Sequence, residues 1–268
     1  MNKRTDAKQL FRRYGIFPKK RLGQNFMIDE GTLHTMAFYA SLSKDDTVLE
    51  IGAGFGALTR VLSSFCRKVI AVEIDHKLID ALKTEIADLE NVTLTEADVL
   101  EAKIPAFNKV VSNPPFHISS PILFWLLKRT FDCAVLTFQK EFAERLVAQV
   151  GSRDYSRLTV EAYYCAEVEC LDLVPKEALY PPPNVDARII RLKPRKTPPF
   201  QPKNEEIFHE LVRTLFTQRN KKVRNAVQGF LRKHGEKKQL ADSLLFHDKR
   251  VRELAPEDFG ALADELAQ

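Results

Sequence analysis

Residues 113–116 read Asn-Pro-Pro-Phe and directly follow the apolar run KVVS at 109–112. A proline pair neither continues a sheet ladder nor sits inside a helix, because each ring fixes φ and removes a backbone donor. The stretch therefore reads as a rigid corner at a strand end, with an amide before it and an aromatic ring after it. Such a corner suits the alkylation of a planar exocyclic amine such as a purine N6. That lone pair is delocalised into the ring, so the nitrogen is a poor nucleophile. If the Asn113 side-chain oxygen and the Pro114 carbonyl each accept one amine hydrogen, the nitrogen shifts toward tetrahedral geometry with its lone pair aimed at an electrophile. Phe116 would stack on the extracted base, a contact worth roughly 1–3 kcal/mol, which offsets much of the cost of flipping an unpaired base. No general base is required, since the proton can leave after the transfer. The plainer alternative is a structural turn with a core phenylalanine.

A second motif lies upstream. In LEIGAGFGALT (49–59) a strand-like run enters three glycines, Gly52, Gly54 and Gly56, and then a helical pattern. Glycine serves where the backbone turns tightly and approaches a ligand with no Cβ in the way. Taken alone the pattern also satisfies a dinucleotide-binding fingerprint. Glu73 ends the next strand-like run, where an acid accepts ribose hydroxyls, and Asp98 ends the third, beside an expected adenine. Asn113 ends the fourth. Ligands of open α/β sheets bind at the carboxyl ends of the strands, so these residues are expected to converge on one cleft. A dehydrogenase has no use for Asn-Pro-Pro-aromatic at that place, which favours a methyl donor over a nicotinamide.

The elements that must position these residues follow from periodicity. TVLEIG (47–52), KVIAVEID (68–75), NVTLTEAD (91–98), KVVSN (109–113) and CAVLTF (133–138) read as strands, and TVEAYYCAEVECLDLV and DARIIRLKP as further strands joined by a proline-rich turn. ALTRVLSSFC, HKLIDALKTEIADL and SPILFWLLKRT carry apolar residues at helical spacing. This alternation predicts an α/β fold, a Rossmann-like sheet with helices on both faces. KPRKTPPFQPKNEE has four prolines and no periodicity and reads as a linker. Beyond it Ile207, Phe208, Leu211, Val212, Leu215 and Phe216 share one helical face, and Val223, Ala226, Val227, Phe230 and Leu231 repeat the pattern. The expected domains are 1–193, a linker at 194–206, and a small all-α C-terminal domain at 207–268.

Charge adds a partner. Residues 1–21 hold eight Lys/Arg against Asp6, and residues 213–238 hold nine against Glu236, so these segments carry +15 of a chain whose net charge is +5. Such polarisation suggests a polyanion, because basic patches release counterions from phosphate; solvated lysine-rich helix faces are the alternative. No apolar run approaches the roughly eighteen residues of a membrane span, and the N-terminus lacks a signal-peptide core, so a cytoplasmic protein is expected. Cys66, Cys133, Cys165 and Cys170 show no CxxC spacing and are expected to be reduced and mostly buried. The six histidines are scattered, and no metal site is expected.

EIGAGFG, VEID, EADVL and NPPF together resemble the class I S-adenosylmethionine-dependent methyltransferases that act on adenine N6. KKRLGQNFMID (19–29), LYPPPNVDARIIRL (179–192), LFTQRNKKVRNAV (215–227) and RVRELAPEDFGALADEL (250–266) extend the resemblance to one branch, the small-subunit ribosomal RNA adenine N6,N6-dimethyltransferases, with an archaeal-like character. The likeness covers nearly the whole chain.

The resemblance implies S-adenosyl-L-methionine as methyl donor and two adjacent adenosines in a 3′-terminal hairpin loop of small-subunit rRNA as targets. It also implies a role in small-subunit biogenesis. By position, Gln24, Asn25 and Met27 would contact the methionine end of the donor, Gly52 would lie under it, and Glu73 would hold the ribose. Asp98 and Val99 would bracket the adenine, and Glu50, Gly54 and Ile74 complete the expected cofactor set. Asn113 would border both donor and target base, with Pro114 and Phe116 finishing the base site. Lys19, Lys20, Arg21, Arg219, Lys221, Lys222 and Arg224 would meet the rRNA backbone. Phe116 stands where the family often has tyrosine, Met27 where leucine is usual, Ala187 where serine is usual, and Asn220 interrupts a basic run. A monomer is expected. The alternatives are a large-subunit rRNA adenine N6-methyltransferase, or a mainly non-catalytic ribosome-assembly factor.

Overall fold

The computed structural model describes residues 3–19, 22–235 and 238–267. In chain order its elements are α1 (Lys3–Tyr14), β1 (Phe26–Met27), α2 (Glu30–Tyr39), β2 (Thr47–Ile51), α3 (Ala57–Phe65), β3 (Lys68–Glu73), α4 (His76–Glu85), β4 (Val92–Glu96), β5 (Lys109–Ser112), α5 (Ser119–Leu127) and β6 (Cys133–Gln139). They continue with α6 (Lys140–Leu146), α7 (Arg157–Cys165), β7 (Ala166–Val174), β8 (Leu179–Tyr180), β9 (Ala187–Pro194), α8 (Glu205–Phe216), α9 (Val223–Ala226), α10 (Gln228–Lys233) and α11 (Pro256–Leu266).

Seven strands form a mixed sheet in the order β4-β3-β2-β5-β6-β9-β7, with helices flanking it. β2 pairs in parallel with β3 and β5, β3 with β4, and β5 with β6, whereas β9 runs antiparallel to β6. Every residue of β2 is buried, as in a central parallel strand covered on both faces; Val48, Leu49 and Ile51 are its apolar part, and Glu50 is buried with a hydrogen bond from Thr59. The chain moves outward from β2 to β4 and then crosses back to β5. The crevice between the ends of β2 and β5 is therefore the switch point where such folds take ligands.

The chain divides into two compact units, residues 1–143 with 169–194, and residues 144–168 with 195–268. The break at Pro194 lies beside the one read from sequence, but residues 144–168, expected within the sheet domain, group with the helical unit. A second correction explains why. Residues 159–165, read as the start of a strand, form α7. Their β-branched and aromatic content favours a strand locally, yet Val160 and Tyr164 bury on the helical unit's core with Phe208, Leu211 and Phe259. Tertiary packing overrides propensity there. The proline-rich stretch is also no free linker: Arg195 N donates to Cys165 O, Lys203 N to Asp264 Oδ1, and Phe200 packs on Tyr164 and Phe208 with ring centroids 5.1 and 5.3 Å away.

The first unit has an unforeseen element as well. The basic N-terminal stretch is largely the helix α1, whose Ala7 and Phe11 bury against Ile16, Leu78 and Ala81. Cys66 and Cys133 are buried, Cys165 and Cys170 half-buried, and none of the four is in a disulfide. Among the described residues no helix is long and apolar enough to cross a membrane.

Candidate active site

At the carboxyl ends of β2, β3 and β5 lies a cavity of about 310 Å³. Gln24, Asn25, Met27, Glu50, Gly52, Gly54, Glu73, Ile74 and Asn113 all line it, nine of the eleven residues expected to hold a cofactor. Asp98 and Val99 do not. Asp98 instead turns its Oδ1 to Leu100 N at 2.9 Å, a local cap, and Val99 is buried. Pro115 lines the cavity; Pro114, expected in the base site, is buried, and Phe116 is half-buried against the main core, so only part of its ring is free to stack.

The glycine turn forms the floor. Gly52 has φ +78°, and a Cβ there would stand 3.3 Å from Pro115 Cδ; Gly54 has φ +60°, and its Cβ would fall 2.9 Å from the Phe26 ring. Both positions have a left-handed backbone that favours glycine, and a Cβ would strike the Phe26 ring at Gly54 and crowd Pro115 at Gly52.

Two buried carboxyl groups face this floor. Glu73, the last residue of β3, accepts from Gly54 N at 3.0 Å and from Ile74 N and Asp75 N at 2.9 Å. Burial raises its pKa, against three amide donors that favour the charged form. Glu50 is 2% exposed and accepts from Thr59 Oγ1 at 2.6 Å. Burial pushes it up to about 8, opposed by the Thr59 hydrogen bond and helped by the neighbouring Glu73 charge.

Residues 22–28 form one wall. Lys19 Nζ meets Asp75 at 2.8 Å, Gln24 Nε2 donates to Asp75 Oδ2 at 3.0 Å, and Lys19 N donates to Gln24 Oε1 at 2.8 Å. Asp75 is almost wholly buried; burial alone would raise its pKa, but Lys19 and Gln24 hold it below the usual carboxylate range. Lys19 thus anchors the wall, a role that its basic neighbours in sequence did not reveal. β1 pairs with β8, so Phe26 faces Tyr180 and Met27 faces Leu179. Phe11, Phe26 and Phe55 complete an aromatic cluster, with ring centroids 5.0–5.4 Å apart.

Asn113 immediately follows β5 and is held from both sides. Its Nδ2 donates to Asn25 O at 2.9 Å, while its Oδ1 accepts a short hydrogen bond from Thr137 Oγ1. Thr137, on β6 and fully buried, escaped the sequence reading. Only the adjacency of β5 and β6 could have flagged it, since Ser112 stands opposite Leu136.

The expected RNA-facing cations fare differently. Lys20 and Arg21 lie outside the described residues. Arg219 directs Nη1 to Arg153 O at 2.6 Å and Nη2 to Ser152 O at 2.9 Å, so its guanidinium secures the 152–153 turn. Lys222 and Arg224 both engage Asp248, at 2.7 and 3.1 Å. Lys221 is exposed. Among the described residues, no group of three or more His, Cys, Asp or Glu side chains is placed to hold a metal ion.

The cavity suits S-adenosylmethionine: a Cβ-free floor for close backbone approach, and carboxyl groups facing the space a cation would fill. Comparison with known proteins agrees. The family model described as "Ribosomal RNA adenine dimethylase" matches residues 18–268. A curated "Probable ribosomal RNA small subunit methyltransferase A" of Methanopyrus kandleri is 46% identical over 216 residues, 80% of this chain and 78% of that one. The solved structure of a dimethyladenosine transferase from Plasmodium falciparum is 30% identical, with a TM-score of 0.77 over 89% of this chain and 96% of that one. The solved 23S rRNA methyltransferase ErmE is also 30% identical, with a TM-score of 0.68 over 91% of this chain and 100% of that one.

Proposed function

The chain belongs to the ribosomal RNA adenine dimethylase family, and from that premise we propose how its own residues carry the reaction. It is an S-adenosylmethionine-dependent rRNA methyltransferase. Its targets in this reading are two adjacent adenosines in a 3′-terminal hairpin loop of small-subunit rRNA, each converted to N6,N6-dimethyladenosine during subunit biogenesis. The protein acts in the cytoplasm, as a monomer, on the immature small subunit.

When bound, S-adenosylmethionine supplies an electrophilic methyl on a positively charged sulfur. Gly52 and Gly54 let the backbone approach it, and Glu73 offers carboxylate acceptors to the ribose hydroxyls. Gln24, with both ends of its amide engaged by Lys19 and Asp75, fixes the wall against the methionine end. Asn113 Oδ1 and the Pro114 carbonyl accept the two hydrogens of the target N6 and turn its lone pair toward the methyl. The free part of the Phe116 ring stacks on the base. The amine proton then leaves to solvent. Asp98 and Val99 do not line the cavity.

RNA backbone is met by the exposed Lys221 and by basic residues of the N-terminal stretch, where eight Lys/Arg stand against one acid. Phosphate contacts of this kind position a folded RNA without reading its bases.

One observation carries the reading: a carboxamide at a strand end, fixed on two sides, beside a glycine-floored cavity lined by two carboxyl groups. Unmethylated small subunits incubated with labelled S-adenosylmethionine should acquire label, and mapping should place it in the 3′ hairpin. Label confined to isolated large subunits would instead favour the second reading, which the fold shared with ErmE keeps in view. Rescue of subunit assembly by a methylation-dead variant would favour a mainly non-catalytic assembly role.

A further inference from the structure

We propose that Thr137 is a positioning residue for methyl transfer: its hydroxyl pins the Asn113 carboxamide with the oxygen available to the target amine. This rests on the reading of Asn113 above. An asparagine amide has a donor end and an acceptor end, and exchanging them would present hydrogens rather than lone pairs to the substrate. The Asn25 carbonyl chooses between the two orientations. It accepts from Asn113 Nδ2 at 2.9 Å, and the reversed amide would set oxygen against oxygen there.

Selection is not the same as immobilisation. With one hydrogen bond the amide can still swing about its χ2 bond, which is a broad torsion. Thr137 supplies the second point. Its Oγ1 faces Asn113 Oδ1 and is fully buried, so its proton goes to that oxygen. One lone pair of Oδ1 is thereby occupied and the other keeps a fixed direction. Thr137 is held in turn by the sheet, between fully buried Leu136 and Phe138 and opposite Ile189 on β9. The acceptor for the amine is thus set from β9 through β6, where a residue fixed in the sheet holds the residue just past the end of β5.

Thr137→Val keeps the volume and removes the donor. With unmethylated small subunits and labelled S-adenosylmethionine, kcat should fall roughly tenfold to a hundredfold, the loss typical when a reacting group is misplaced by a fraction of an ångström to one ångström. Cofactor affinity, read by calorimetry on the full chain, should stay within about threefold, because Thr137 itself does not line the cavity. Thr137→Ser, which restores the hydroxyl, should recover most of the rate. Wild-type kcat in Thr137→Val alongside an inactive Asn113→Ala overturns the proposal, as does equal loss in the Ser and Val variants. Wild-type kcat in Asn113→Ala would sink the underlying reading instead. Should the valine variant not fold, Thr137→Cys, a weak donor of similar size, takes its place with the same expected loss and the same overturning result.

Discussion

Asn113 and Glu50 sit in the same cavity wall and put opposite demands on their surroundings. Asn113 must stay neutral, fixed and accepting. Asn113→Ala removes an acceptor that acts only as the amine pyramidalises, so kcat should drop about a hundredfold to a thousandfold, the range for deleting one preorganised group. Binding of small-subunit rRNA, read by filter retention, should change little; matched losses in both would break the division between chemistry and docking. Glu50 concerns protonation instead. Burial lifts its pKa to about 8, so the folded protein keeps a proton that an unfolded chain, with a glutamate pKa of about 4.3, has already released. The stability this contributes is complete below the unfolded value and drains away as pH rises through the folded one. Melting temperature should therefore decline between about pH 5 and pH 9, and Glu50→Gln, which cannot ionise, should flatten that decline. A wild-type profile as flat as the variant's would show that Glu50 is ionised in the native state.

At the scale of elements, Asp75 links two structures. It caps α4 through Lys77 N and clamps Lys19 and Gln24 beside the cavity. Asp75→Asn keeps a capping oxygen but loses the charge pair, so cofactor affinity should weaken severalfold while hydrogen exchange across 22–28 accelerates. Asp75→Ala should add about 1 kcal/mol of lost stability from the missing cap. Unchanged exchange in both variants would mean the wall stands without the clamp. Much of this scale was legible beforehand. The strands of the sheet announced themselves because parallel strands covered on both faces are runs of Val, Ile and Leu, and α3, α4 and α5 because their apolar residues recur at helical spacing. α1 was hidden by its charge; among its residues whose burial is described, Ala7 and Phe11 bury in the core. α7 was hidden by its composition, and Thr137 by the fact that its partner lies on another strand.

For the whole molecule, local charge proved a poor guide to which cations are free. The basic run at 219–224 looked uniformly available, yet Asp248, distant in sequence, engages Lys222 and Arg224, and backbone carbonyls engage Arg219. These assignments separate two kinds of variant. Lys221→Ala should leave melting temperature unchanged and reduce the salt dependence of rRNA binding by about one unit of slope, as loss of a single phosphate contact does. Arg219→Ala should lower the melting temperature by a few degrees and leave that slope alone. The reverse pattern would return Arg219 to the RNA interface.

The pairing of β1 with β8 carries a consequence for synthesis. Phe26 and Met27 emerge from the ribosome early, but the strand that stitches them down, Leu179–Tyr180, emerges only after most of the sheet. The methyl-donor chamber therefore has no finished wall on a nascent chain, however well its glycine floor has formed. Truncated products that stop before residue 179 lack the strand that pairs with Phe26 and Met27.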